Sequence, residues 1–305
     1  MLIRIGALSE TTGVSEDVLR SWERRYGLLA PQRTAGGFRL YSDDDVRRVR
    51  TMVSLLSSGL SAGEAARHVL ETSAGGAAAP GGPAPAPVVD DLRARLHDAF
   101  RGLDDDALEA AIDAVRGALD LDAAIRDVFI PALRELGEGW ATGTVSVAQE
   151  HFAVNVLRAR MMGLARGWDQ GFGPRALLAC PPEEHHDASL VLFGLALRRR
   201  GWRITFLGAN TPLEDVLSTR ERFTPELTVL YASDWAQHAD TLSHLKQHAG
   251  PSTALGGSTA GPAAESTGGR WLAGDPVTAA DQATREFTAA KRSSNERAAL
   301  NGAGH

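Results

Sequence analysis

The spacing of apolar residues changes along this chain, and each regime predicts a different kind of structure. Over residues 90–168 apolar positions recur three and four apart: Leu92, Leu96 and Phe100; Leu108, Ile112 and Val115; Ile125, Val128, Phe129 and Leu133; Val154, Leu157 and Met161. Each set lines one side of a helix, and short polar connections between the sets predict a bundle of about four antiparallel helices. From residue 175 the pattern shortens to runs at 176–178, 203–206, 227–230 and 252–255, separated by helical stretches such as 190–200. Strands alternating with helices predict βαβ units on a parallel sheet. Ahead of both, residues 3–8 open a helix, residues 11–14 make a tight turn around Gly13, and Ser15 caps a second helix through Arg24. That is a helix-turn-helix, and the stretch 33–41 beyond it reads as two short strands about Gly36-Gly37, a wing.

The connecting segments set the domain limits. Residues 72–87 are almost entirely Ala, Gly and Pro, which bury little apolar surface and predict an extended linker. The expected organisation is a head at 1–71, a linker at 72–88, a helical bundle at 89–170, an α/β domain at 174–290 and a disordered tail at 291–305. Composition narrows the setting. With 305 residues, 43% of them hydrophobic, the chain holds several ordinary globular domains. It contains no apolar run long enough for a membrane span, its first residues lack a signal-peptide core, and Cys180 is alone, which together predict a reducing cytoplasm. The net charge of -6 disfavours nucleic-acid binding by the whole surface, but Arg20, Arg24, Arg25, Arg33, Arg39, Arg47, Arg48 and Arg50 crowd the head. Local basicity is what phosphate contact requires. Arg20, Trp22, Arg24 and Arg25 on the second helix, with Arg39 on the wing, are therefore placed to meet phosphates or base edges.

Candidate chemistry gathers at strand ends. His186 lies in the loop between the 176–179 run and the next helix, Ser233 follows the 227–231 run, and Gly256-Gly257 follows Leu255. An open α/β sheet binds ligands at that edge, so a metal-ligating imidazole, a hydroxyl and a side-chain-free pair converge there. Singly, each also reads as an exposed loop histidine or an ordinary turn, and in the bundle Trp140 and the Glu150-His151 pair read as a core aromatic and a helix-capping acid. Glu183-Glu184 could be a carboxylate base beside a metal, but no second acid, nucleophile or phosphate loop accompanies it.

Two resemblances organise these residues. The run Gly13-Val14-Ser15, Leu19-Arg20-Ser21-Trp22-Glu23-Arg24-Arg25-Tyr26-Gly27-Leu28-Leu29, Pro31, Arg33-Thr34 and Gly37-Phe38-Arg39-Leu40-Tyr41 resembles the winged helix-turn-helix of the MerR family, over residues 2 to about 70. It implies a double-stranded DNA operator contacted through Ser15, Arg20, Trp22, Arg24, Arg25, Arg33, Arg39 and Tyr41. In that family a long helix usually follows directly and dimerises; here the linker follows, so the body must supply the oligomer contacts. In the body, Glu184-x-His186-x-x-Ser189, Ser233-x-Trp235 and Gly256-Gly257 are similar to the cobalamin-binding pattern Asp-x-His-x-x-Gly, Ser-x-Leu, Gly-Gly. Trp140, nine residues, then Glu150-His151 is similar to the helical cap of CarH/LitR-type light-responsive repressors.

The resemblance spans residues 2 to about 275 and implies a multidomain fold: winged helix-turn-helix, four-helix bundle and a Rossmann-like, flavodoxin-like cobalamin-binding domain. It implies adenosylcobalamin with cobalt ligated by His186, whose other ring nitrogen donates to Glu184. The nucleotide tail would meet Ser233 and the Gly256-Gly257 backbone, which any Cβ would block; Trp140 would cover the adenosyl group, with Glu150 and His151 bonding its ribose or adenine. Three positions depart from the pattern: Ser189 replaces a glycine, crowding the loop slightly, Trp235 replaces leucine, adding bulk beside the tail, and Ala141 replaces a histidine that captures cobalt after photolysis, leaving His151 or His185 as substitutes. The implied function is a light-responsive repressor, not an enzyme, whose oligomeric state, dimer or tetramer, sets DNA binding. The alternatives are a cobalamin-independent MerR-type regulator and a corrinoid-dependent enzyme or shuttle, the latter having no use for a DNA-reading head.

Overall fold

The computed structural model describes residues 3–33, 39–57, 61–74, 86–248, 250 and 252–302. The tip of the expected wing, residues 34–38, and residues 75–85 of the expected linker lie outside the described residues. The chain divides into two compact units, residues 1–82 and 83–305.

In the head, α1 (Ile5–Thr12) and α2 (Glu16–Tyr26) form the helix-turn-helix, with Gly13 at φ 70° supplying the left-handed turn between them. Two short antiparallel strands follow, β1 (Gln32–Arg33) and β2 (Arg39–Leu40), then α3 (Asp43–Ser57) and α4 (Ala62–Ala74). Leu8, Leu19, Leu28, Val49 and Met52 pack the core between these elements. Asp45, buried at the start of α3, takes hydrogen bonds from the Ala30 and Ser42 backbone N–H groups at 2.9 and 2.8 Å and so ties the wing approach to the helix.

Two of the expected DNA contacts are corrected by this core. Trp22 is 8% exposed and Tyr41 0%, both packed among the head's apolar residues. The Tyr41 hydroxyl donates inward to Glu23 Oε2 at 2.8 Å, and Arg39 Nε donates to Glu23 Oε1 at 3.0 Å. Burial of large aromatic area outweighs exposure to a partner, so these rings hold the head together. Ser15 occupies the position before α2, yet its side chain makes no capping bond.

In the body, α5 (Ala86–Gly102), α6 (Asp105–Ala118), a third helix and α9 (Val147–Gly163) make up the bundle. The third helix begins as α7 (Leu121–Ala123), widens to a π turn at Ala124–Phe129 and continues as α8 (Ile130–Ala141). Pro131, in the first turn of α8, cannot donate into the ladder, and the widening sits just before it. Asp104 caps α6, and Ser146 with Gln149 forms a reciprocal capping box on α9. Because α5 begins at Ala86 and α4 ends at Ala74, helix intrudes on both ends of the expected 72–88 linker.

The α/β part holds a sheet of β3 (Arg175–Ala179), β4 (Arg203–Gly208), β5 (Leu227–Tyr231), β6 (Thr253–Gly256) and β7 (Arg270–Trp271), in spatial order β4-β3-β5-β6-β7 and parallel throughout. Helices α10 (Ala188–Arg199) and α14 (Pro276–Gly302) pack with the bundle on one face, and α11 (Leu213–Phe223), α12 (Ala239–His248) and α13 (Ala260–Thr267) cover the other. Strand residues alternate accordingly: Ala176 and Leu178 face the first layer, Leu177 and Ala179 the second. This is the flavodoxin-like order, whose switch point lies between β3 and β5. The expected disordered tail is corrected in part, since α14 continues through Gly302. No helix among the described residues is long and apolar enough to cross a membrane.

Candidate functional site

The switch point is organised around one carboxylate. Glu184, in the loop after β3, is 3% exposed. Its Oε1 accepts from the His186 backbone N–H and from Nδ1 of the His186 ring, each at 2.8 Å. Its Oε2 accepts from the Ser233 backbone N–H and Oγ, each at 2.6 Å. One side chain thus joins the loop after β3 to the loop after β5, across the point where the strand order reverses.

The electrostatics follow from these bonds. Burial alone would raise the Glu184 carboxyl, but the donors from His186 and Ser233 outweigh it and hold it near a pKa of about 2. An ionised acceptor requires that Nδ1 of His186 carry the proton, which leaves the Nε2 lone pair available to a metal. The hydrogen bond to Glu184 also raises the imidazole pKa, against burial and with help from the Glu184 and Glu150 charges. The ring itself is largely exposed, 66% by side chain. Among the described residues no cluster of three or more His, Cys, Asp or Glu could hold a metal by itself.

Beside this hub a cavity of about 1100 Å³ opens between α8, the C-terminal edge of the sheet and the start of α14. Leu190, Phe193, Val229 and Tyr231 line its deep wall, Ser233 and Gly256 its sheet edge, and Arg126, Arg134 and Glu138 its bundle side. Its volume exceeds the roughly 300–1,000 Å³ of ordinary small-molecule sites, so it suits a bulky ligand.

The structure distributes the expected site residues unevenly. Ser189, Ser233, Gly256 and Gly257 line the cavity, as does Ala141. Glu184 and His186 stand at its edge, joined to Ser233 but outside the lining. Trp140 on α8 is 55% exposed. On α9, Glu150 is half-buried and His151 exposed, their side chains 3.5 Å apart. None of these three lines the cavity.

Two expectations are corrected in detail. A Cβ on Gly257, at φ 118°, would fall 2.0 Å from the Ala232 carbonyl oxygen. That glycine is required by the crossing of two of the chain's own loops, whatever ligand lies nearby. A Cβ on Gly256 would touch Tyr231 Cδ2 at 3.4 Å and Val229 Cγ1 at 4.0 Å, both ordinary contact distances. Trp235 is 1% exposed and donates Nε1 to the Gly256 carbonyl at 2.9 Å; it braces the two loops from within and adds no bulk to the cavity lining.

Sequence reasoning missed the pair Arg158 and Asp187. Asp187 is 2% exposed and takes both guanidinium bonds of Arg158 from α9, Nη2 to Oδ2 at 2.7 Å. The available signal was positional, an acid directly after His186 and an arginine two turns beyond Glu150 on α9.

Two family models and several known proteins are similar to this chain. The profile of the MerR HTH family regulatory proteins matches residues 3–72, and that of the B12 binding domain matches residues 92–164. The HTH-type transcriptional repressor CarH of Myxococcus xanthus is 35% identical over 252 residues, 80% of this chain and 84% of CarH. The HTH-type transcriptional repressor CarA of the same organism is 34% identical over 233 residues, 75% of this chain and 76% of CarA. A solved cobalamin-binding protein from Desulfitobacterium hafniense DCB-2 aligns with 64% of this chain and 98% of its own at 20% identity, with a TM-score of 0.34. The head is thus a MerR-type DNA-binding domain, the bundle a B12-binding domain, and the relatives are regulators of transcription rather than enzymes. This chain belongs to the MerR-type transcriptional repressors of the CarH and CarA family.

Proposed function

We propose that this chain is an adenosylcobalamin-dependent, light-responsive transcriptional repressor of the cytoplasm, in which the cofactor sets the oligomeric state of the body and thereby the occupancy of a DNA operator. The observation that carries the reading is Glu184, which fixes His186 with Nε2 as its open nitrogen and ties it to Ser233 at the edge of a cavity large enough for a corrinoid. His186 would ligate the cobalt in this reading, and Glu184 would set its tautomer and raise its basicity. Ser233, Gly256 and the apolar wall from Leu190 to Tyr231 would receive the nucleotide tail. Trp140, Glu150 and His151 would hold and cover the upper group and exclude water from it. Bound adenosylcobalamin would supply a cobalt–carbon bond that light can break. Ala141 offers no nitrogen, so a product with a second histidine ligand from that position is not expected.

The test is spectroscopic. Full-length protein incubated with adenosylcobalamin in darkness and desalted is expected to remain coloured, and His186→Ala to lose the imidazole-ligated spectrum; a colourless wild type would end the reading. Particle size and operator affinity, compared in darkness and after green light, should differ. Identical values would leave cobalamin as a chemical signal at most.

For the head, the reading places Arg20, Arg24 and Arg25, all exposed on α2, against DNA together with Ser15, Arg33 and Arg39 of the wing. Replacing Arg24 or Arg25 by Gln is expected to weaken binding across sequences and to lower the salt slope by roughly one unit for each phosphate that is no longer neutralised. Titrations at several salt concentrations measure it; an unchanged slope removes that arginine from the interface. Two heads held in one oligomer reach a repeated operator at high effective concentration, so assembly alone can switch occupancy.

A further inference from the structure

Among the described residues, the bundle reaches the ligand loop through an ionic contact that neither the cavity nor the Glu184 hub uses. Asp187 follows His186 directly and precedes α10. An acid at that place usually caps the helix, but Asp187 makes no capping bond. Both of its oxygens are given to the Arg158 guanidinium. A planar, two-point bond of this kind fixes orientation as well as distance. Its carboxylate is 2% exposed with Arg158 in place, so the guanidinium stands between it and solvent.

Arg158 belongs to α9, the helix that also carries Glu150 and His151 two turns earlier. The Glu150 charge acts on the His186 ring from that same helix. The same helix therefore grips the residue that follows the imidazole. Among the described residues, the other ion pairs between bundle and α/β part are those of Asp122 with Arg199 and Arg200, at the far end of α10. Helix α10 is thus tied to the bundle at both ends, and only the Arg158 end adjoins His186.

The geometry points to Arg158 and Asp187 as a latch by which the bundle holds the His186 loop in its ligating position. Arg158 is a positioning residue here, acting through Asp187 on His186. The inference rests on the cobalamin reading for its ligation half; its loop-ordering half stands on the protein alone.

The experiment uses full-length protein and two readouts. Amide hydrogen exchange of the cofactor-free protein reports order in the loop: in Asp187→Asn the amides of His186 and Val191 are expected to exchange roughly tenfold faster, those of β5 and β6 as before. Paramagnetic resonance of protein loaded with cob(II)alamin reports the axial nitrogen: wild type shows its superhyperfine splitting, and Asp187→Asn and Arg158→Ala lose it while retaining the corrinoid. Arg158→Lys keeps the charge without the fork and should restore the splitting only in part; should Asp187→Asn not fold, the lysine variant carries both readouts. Native exchange and native splitting in the variants would overturn the latch. A wild type without splitting would refute His186 ligation instead, and the exchange data would still decide the loop.

Discussion

Replacing Glu184 by alanine is expected to cost the body about 3–5 kcal/mol, a large part of the roughly 5–15 kcal/mol that holds a domain folded. Four donors converge on this side chain, two from His186 and two from Ser233. Bonds to an ionised acceptor contribute about 1.5–3 kcal/mol each, and the total stays below four times that because water reaches the exposed His186 ring and Ser233 once the acid is gone. Glu184→Gln should lie between: its amide oxygen can serve one loop, while its NH2 group faces the donors of the other. Thermal unfolding of the full chain measures both. The carboxyl's folded pKa, about 2, lies below its ordinary value of 4.5, so its contribution is complete above that value and is lost as pH falls towards 2. The gap between wild type and Glu184→Ala should accordingly close in acid. The same substitution frees the imidazole tautomer, and a loss of 10–100-fold in cofactor affinity is expected on top of the stability effect. A Glu184→Ala protein as stable as wild type would show that the two loops are held by something other than this acid.

Much of this arrangement is legible in the chain because parallel strands buried on both faces are written as unbroken apolar runs. The runs at 176–178 and 227–230 grow only to Arg175–Ala179 and Leu227–Tyr231 in the structure. The strand Arg270–Trp271 has two residues and so no period to read. Helix α14 beyond Lys291 is written in propensity alone, with Arg292, Glu296, Arg297, Ala298, Ala299 and Leu300 good helix formers and no apolar stripe to announce it. Side-chain direction is the other hidden quantity. Trp22 and Tyr41 sit between arginines in sequence and face the core in space. Glu184 can be named as a partner of His186 from the spacing of two residues, but its grip on Ser233 crosses 49 positions and depends on which strands are neighbours. Arg158 meets Asp187 only because α9 lies along α10.

The adjacent glycines turn that difference into a measurement. Gly257→Ala is expected to destabilise the body by about 2–6 kcal/mol, from backbone strain of about 1–3 kcal/mol together with overpacking of similar size. Its φ of 118° is a conformation that residues with a Cβ rarely adopt, and the new carbon would sit 2.0 Å from the Ala232 carbonyl oxygen. Relief would require the loops after β5 and β6 to part, which breaks the bonds from Ala232 N–H and Trp235 Nε1 to the Gly256 carbonyl, at 3.3 and 2.9 Å. Gly256→Ala meets only Tyr231 Cδ2 and Val229 Cγ1, both at ordinary contact distance, so it should cost under about 1 kcal/mol and fold normally. If the cavity receives the cofactor's tail, Gly256→Ala should nevertheless weaken retention of cobalamin through desalting, since its methyl group enters a wall of the cavity. Denaturation curves and cofactor retention on the two variants separate the roles. An equally stable pair would refute the crossing of the two loops, and full retention in Gly256→Ala would place the tail elsewhere.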